Sequence, residues 1–176
     1  MFVFPAQIRD LAILIARLGI GIIFFAHGWQ KLFTVGLGPT AAGFKAMGVP
    51  LPTLSAWFAC LVEFVGGAML IVGLLVPIAG VLLFLDMLGA FFTVHIGHGL
   101  FVGSGGSELV IALGVGSLLL AAVGAGLYSI DHAIAANRST TPTAPPQSPN
   151  PPHPTPPHPT PPHPARRFTQ DRDDLA

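Results

Sequence analysis

The chain has 176 residues, of which 52% are apolar and 9% charged, and its formal net charge is zero. A soluble domain carries about a quarter charged residues, so most of this chain does not face water. The neutral balance excludes a basic nucleic-acid surface, and the single cysteine, Cys60, excludes an internal disulfide and a CxxC redox pair. Any redox role therefore draws on a bound cofactor, a partner or an intermolecular thiol.

The first apolar segment, residues 8–32, contains "ARLGIGIIFFAHGWQKL" and carries Arg17, His27 and Lys31. Arg17 interrupts its apolar run and no clear cleavage site precedes His27, so it reads as a retained helix rather than a secretory signal. Residues 34–53, with Gly36, Gly38, Pro39, Gly48, Pro50 and Pro52, are expected to form the longest loop. The second segment, 54–75, carries Cys60 and Glu63; Pro77 marks a tight turn; the third, 78–98, carries Asp86, His95 and His98. "GLFVGSGG" (99–106) separates it from the fourth, 107–129, with Glu108 near its start. Each segment is near the roughly 20 residues that span a hydrocarbon core. None alternates with the period of a strand, and a helix satisfies its own backbone in lipid. The fold class that follows is an all-α membrane protein, a four-transmembrane-helix bundle over residues 1–135. Frequent glycines inside the segments suit close helix contacts.

Beyond Arg138 the chain becomes low in complexity, with three PPHP units. Proline at this density favours polyproline II, so residues 136–176 are expected to be a disordered Pro/His-rich tail, a spacer or docking segment. His153, His158 and His163 could hold a metal only weakly. Four spans place both termini on one side, together with Arg9 and Arg138, which points to cytoplasmic termini.

Ionisable groups within a bilayer are costly and face the bundle interior. Measured from the terminal side, Arg17 and Asp86 fall at about 12–14 Å, Glu63 near about 20 Å, and His27, Lys31, His95, His98 and Glu108 at about 25–34 Å. Arg17, His27, Lys31, Glu63, His95, His98 and Glu108 form the candidate intramembrane polar site, with Asp86 as a structural ion-pair candidate. Their levels suggest a structural ion pair of Arg17 with Asp86 or Glu63, and they place Glu63 within reach of Lys31. On helix one, Arg17, Gly28 and Lys31 share a stripe with His27 at its margin, whereas Asp86 and His95 lie on opposite faces unless helix three bends at Gly89 or Gly97. Plainer roles are available for several. Lys31 can snorkel to the interface; Trp29 and Trp57 suit an aromatic belt; Glu108 suits a positive helix end; Cys60 suits packing. His95 and His98, spaced i, i+3, are more often interfacial than ligands to metal or haem, so no metal site is expected.

With these residues in view, the chain resembles the DoxX family of small bacterial membrane proteins. The resemblance rests on "ARLGIGIIFFAHGWQKL", "GFKAMGVPLP", "LVEFVGGAMLIVGLLVPIAG" and "GAGLYSIDHAI", and spans residues 8–135. The combination R–G–HG–K, then GxP, then E–GG is specific where no single piece is. Asp86 and the Pro/His tail depart from the pattern. The resemblance implies a four-helix protein of the bacterial cytoplasmic membrane. Related proteins are associated with thiosulfate:quinone oxidoreduction. A similar mycobacterial protein is linked with a superoxide dismutase and a thiosulfate sulfurtransferase in an oxidoreductase complex for oxidative-stress resistance. Three functions stay open: a membrane subunit or scaffold of such a complex, in thiol and oxidative-stress homeostasis; a quinone-reactive subunit in which His27, Lys31 and Glu63 contact quinone; and a small transporter. The lipid bilayer is an expected partner in each, and a homo-oligomer is compatible with all three.

Overall fold

A computed structural model describes residues 5–139. The described chain is helical: α1 (Ala6–Trp29), α2 (Leu37–Ala46), α3 (Pro52–Val72), α4 (Val76–Ala90), α5 (Glu108–Val123) and α6 (Ile130–Ser139), with no strand among the described residues. Two helices change winding at their C-terminal ends. α1 continues as π-helix through Gln30–Val35, and α4 through Phe91–His95.

Three of these helices are long and apolar enough to cross a membrane: Ala6–Val35, Pro52–Val72 and Val76–His95. The fourth, α5, has 16 residues and spans about 24 Å. Helix four was expected to reach residue 129. It stops at Val123 because Gly124 takes φ 86°, outside the helical region, and Gly126 follows at 72°. Residues 124–129 then form a link to α6. That helix runs through Ser139, across the expected boundary at residue 135/136; the rest of the Pro/His tail lies outside the described residues.

The expected long loop at 34–53 also contains a helix. Gly36 takes φ 88° and releases the chain from α1, after which α2 begins. The Thr40 hydroxyl donates to the Gly36 carbonyl at 2.9 Å, holding α2 against that turn. Pro52 opens α3 and Pro77 lies in the first turn of α4, where a missing N–H costs no helix bond.

α1 packs along α3, and α4 along α5. The first contact needs glycines. A Cβ at Gly28 would lie 2.4 Å from the Phe64 nitrogen, and one at Gly67 2.5 Å from the Phe25 nitrogen. The pairs join through the α3–α4 turn, and near it Gly66 receives Leu83. Phe24, Leu70, Val76, Leu83 and Leu120 form much of the buried core. The outward faces are apolar, with Ile8, Leu11, Ile15, Ile22, Val81 and Leu119 exposed. Apolar surface of this extent belongs against lipid.

Candidate functional site

Arg17 lies at the α3–α4 turn end of the bundle and is buried. Its guanidinium donates to Leu70 O at 2.9 Å and Ile71 O at 3.3 Å, both at the end of α3. It also donates to Tyr128 O at 3.1 Å and to Ala125 O. Helix ends leave carbonyls without partners, and Arg17 satisfies them for α3 and for the link after α5. The expected ion pair of Arg17 with Asp86 or Glu63 is not formed. Backbone carbonyls occupy the guanidinium fork, and the acid whose charge acts on it is Asp131. Asp131 works from the first turn of α6: its carboxylate accepts from Leu75 N at 2.8 Å and Val76 N at 3.2 Å, capping α4, while its own N–H donates to Gly73 O at 3.0 Å.

The other end is different. Between the α1/α3 and α4/α5 pairs lies a cavity of about 780 Å³, within the size range of small-molecule sites. Its walls are mostly apolar, with Phe24, Phe58, Leu85 and Leu113 among them. His27, Lys31, Glu63, Asp86 and His95 supply its ionisable groups. The Lys31 ammonium donates to both Glu63 carboxylate oxygens, at 2.6 and 2.7 Å. The Glu63 side chain is 4% exposed and that of Lys31 26%, so Lys31 is held in the bundle rather than extended to the interface. Asp86 is buried, and Glu63 and Lys31 are the charges that act on it. Asp86 therefore belongs to the cavity cluster, not to Arg17.

Helix winding assembles part of this group. In an uninterrupted α-helix Asp86 and His95 would face opposite ways. The π-helical turn Phe91–His95 underwinds α4, and both residues line the cavity. Lys31 also stands on a π-helical turn, at the end of α1. Such turns often mark functional positions in helices. The ring Nδ1–H of His95 donates to Gly105 O at 2.8 Å, which fixes its orientation.

Besides Arg17, two candidates fall outside the cavity. His98 is exposed and absent from its walls. Glu108 accepts from Val102 N at 2.7 Å and braces the loop before α5. Cys60 is fully buried, consistent with packing. Trp29 stacks among Phe25, Phe33 and Phe64. No cluster of three or more His, Cys, Asp or Glu among the described residues is arranged to hold a metal. Sequence reasoning missed Asp131 and the buried Asp10, whose Oδ2 has no hydrogen-bond partner among the described residues. "GAGLYSID" was the available signal for Asp131, since a Gly-rich link followed by an acid suits a turn and cap.

The DoxX family model matches residues 12–96. CatD of Bacillus subtilis strain 168, named as an oxidoreductase, is 32% identical over 69% of this chain and 86% of its own. The inner membrane protein YqjF of Escherichia coli K12 is 32% identical over 72% of this chain and 94% of its own. Rv3486 of Mycobacterium tuberculosis, named as an uncharacterized membrane protein, is 36% identical over 45% of this chain and 48% of its own. No solved structure matches.

Proposed function

The chain belongs to the DoxX family of membrane proteins, and from that premise we propose that it is the membrane subunit of an oxidoreductase complex and binds a quinone-type ligand in its cavity. The cavity carries this proposal: about 780 Å³, apolar over most of its wall, with Lys31, Glu63, Asp86, His27 and His95 gathered on it. A quinone needs an apolar slot for its ring and a few polar groups for its oxygens, and these residue types meet both needs. The oxidoreductase name of CatD adds support by similarity alone.

When bound, a quinone supplies an acceptor for two electrons and two protons. Lys31 and His27 are suited to donate hydrogen bonds to a ring oxygen. Glu63 and Asp86 are suited to pass protons toward the same oxygens, while Lys31 offsets negative charge on the reduced ring. The electrons come, in this proposal, from a reduced-sulfur donor on a soluble partner of the thiosulfate sulfurtransferase kind. A superoxide dismutase would belong to the same stress-response assembly. Glu63 holds Lys31 in place, which makes the pair a positioning element as well as a polar contact.

The test uses protein reconstituted in lipid nanodiscs, extracted with organic solvent and assayed for quinone by chromatography. The expected result is near-stoichiometric quinone in the wild type and its loss in Lys31→Met, with the helical spectrum retained. A wild type that carries no quinone and takes up none when it is added overturns the proposal.

A further inference from the structure

Two parts of the fold bound the cavity along the bundle. Toward the α3–α4 turn, the contact of Gly66 with Leu83 brings the helices together. At the opposite end, α2 and the segment after it contribute Phe44, Met47 and Pro50 to its wall, with Val49 buried there. Its side is open. Leu54 and Phe58 of α3 line the cavity and are 64% and 44% exposed. Across from them Leu85 of α4 is 48% exposed, and Gly89 and Thr93, one and two turns further on, are also exposed lining residues. Both sets lie within membrane-spanning helices, so the surface they share is a lipid-facing one.

Gly89 matters to that opening. A Cβ placed there meets nothing within 4 Å, unlike the tightly packed Gly28 and Gly67. Its missing side chain serves no helix contact and leaves space at the gap. The polar cluster of Lys31, Glu63 and Asp86 lies deeper, between the helix pairs. The cavity therefore has a polar interior and an apolar exit into the hydrocarbon layer.

We infer that the ligand carries a long apolar chain that leaves the cavity between α3 and α4, past Leu54, Phe58, Leu85 and Gly89, so that the site is loaded from the bilayer. This rests on the quinone-type reading of the cavity and narrows it to chain-bearing molecules. Lipid is as apolar as these side chains, so the chain adds little affinity over its membrane partition; it sets the route and the orientation of the head group.

The experiment uses the full chain in nanodiscs and a benzoquinone bearing an isoprenoid chain with a diazirine at its midpoint. After photolysis, adducts are mapped by mass spectrometry, with and without the same benzoquinone ring lacking the chain. The expected adducts fall within residues 54–58 and 85–93. They are lost when excess chainless ring displaces the head, and lost in Gly89→Trp at unchanged thermal stability. Displaceable adducts confined to α1 or α5 overturn the α3–α4 exit and leave the cavity reading standing. Adducts that the chainless ring never displaces overturn the cavity reading itself. The wild-type map decides the exit even if Gly89→Trp fails to fold.

Discussion

Replacing Lys31 with Met separates the two partners of the cavity ion pair. The ammonium sits 2.6 Å from one Glu63 oxygen and 2.7 Å from the other. At an effective dielectric constant of about 20, that separation corresponds to about 6 kcal/mol of attraction, much of it offset by the cost of removing both ions from water. Removing one partner of a buried pair costs about 3–5 kcal/mol, because the other charge stays buried alone. The two ends are unequal: Glu63 is 4% exposed and Lys31 26%. Lys31→Met leaves Glu63 beside Asp86 with no cation between them, so its cost falls at the upper end. Glu63→Gln leaves an ammonium that keeps some solvent and has Asp86 nearby, so its cost is smaller. The double variant Lys31→Met/Glu63→Gln removes both charges and recovers part of the loss, giving a coupling of about 2–3 kcal/mol. Reversible unfolding in mixed micelles of mild detergent and dodecyl sulfate, followed by circular dichroism, measures all four proteins. Additive single effects, with no recovery in the double variant, refute the reasoning.

Two further outcomes follow from the packing. Arg17→Lys keeps the charge but not the planar fork, so it strands carbonyls of α3 and of the 124–129 link; a loss of about 2–4 kcal/mol is expected in the same unfolding assay. Gly28→Leu places side-chain atoms where the Phe64 backbone already lies at 2.4 Å from a Cβ. α1 and α3 must separate, and cysteine cross-linking across that contact should fall sharply while Gly89→Leu leaves it unchanged.

Much of the fold was legible because lipid imposes simple demands. A long apolar run with few charges and no strand-like alternation folds as a helix in lipid, and Pro77 and the Gly-rich stretch at 99–106 divide the runs. α2 was not legible, since its Gly and Pro content resembles a loop and its helix depends on Thr40 and Gly36 in three dimensions. Depth along the helices correctly brought Lys31 near Glu63, because rise per residue is nearly constant. It misassigned Arg17 and Asp86, because equal depth does not place two groups on facing sides. Placing Asp86 and His95 on one cavity wall depends on the π-helical turn at Phe91–His95, and no residue in that stretch announces a change of winding.

The Arg17 contacts also impose an order on assembly. Ala125 and Tyr128, which accept two of its hydrogen bonds, lie 108 and 111 residues further along the chain. During synthesis, α1 enters the membrane long before either acceptor exists. α3 supplies the first partners, Leu70 and Ile71, and the guanidinium is fully satisfied only after α5 has been inserted and the link beyond it has been made. The cap that Asp131 places on α4 arrives at the same moment. A nascent chain lacking its last membrane helix thus keeps an incompletely bonded cation in its first, a chemical mark of unfinished assembly that disappears when the bundle is complete.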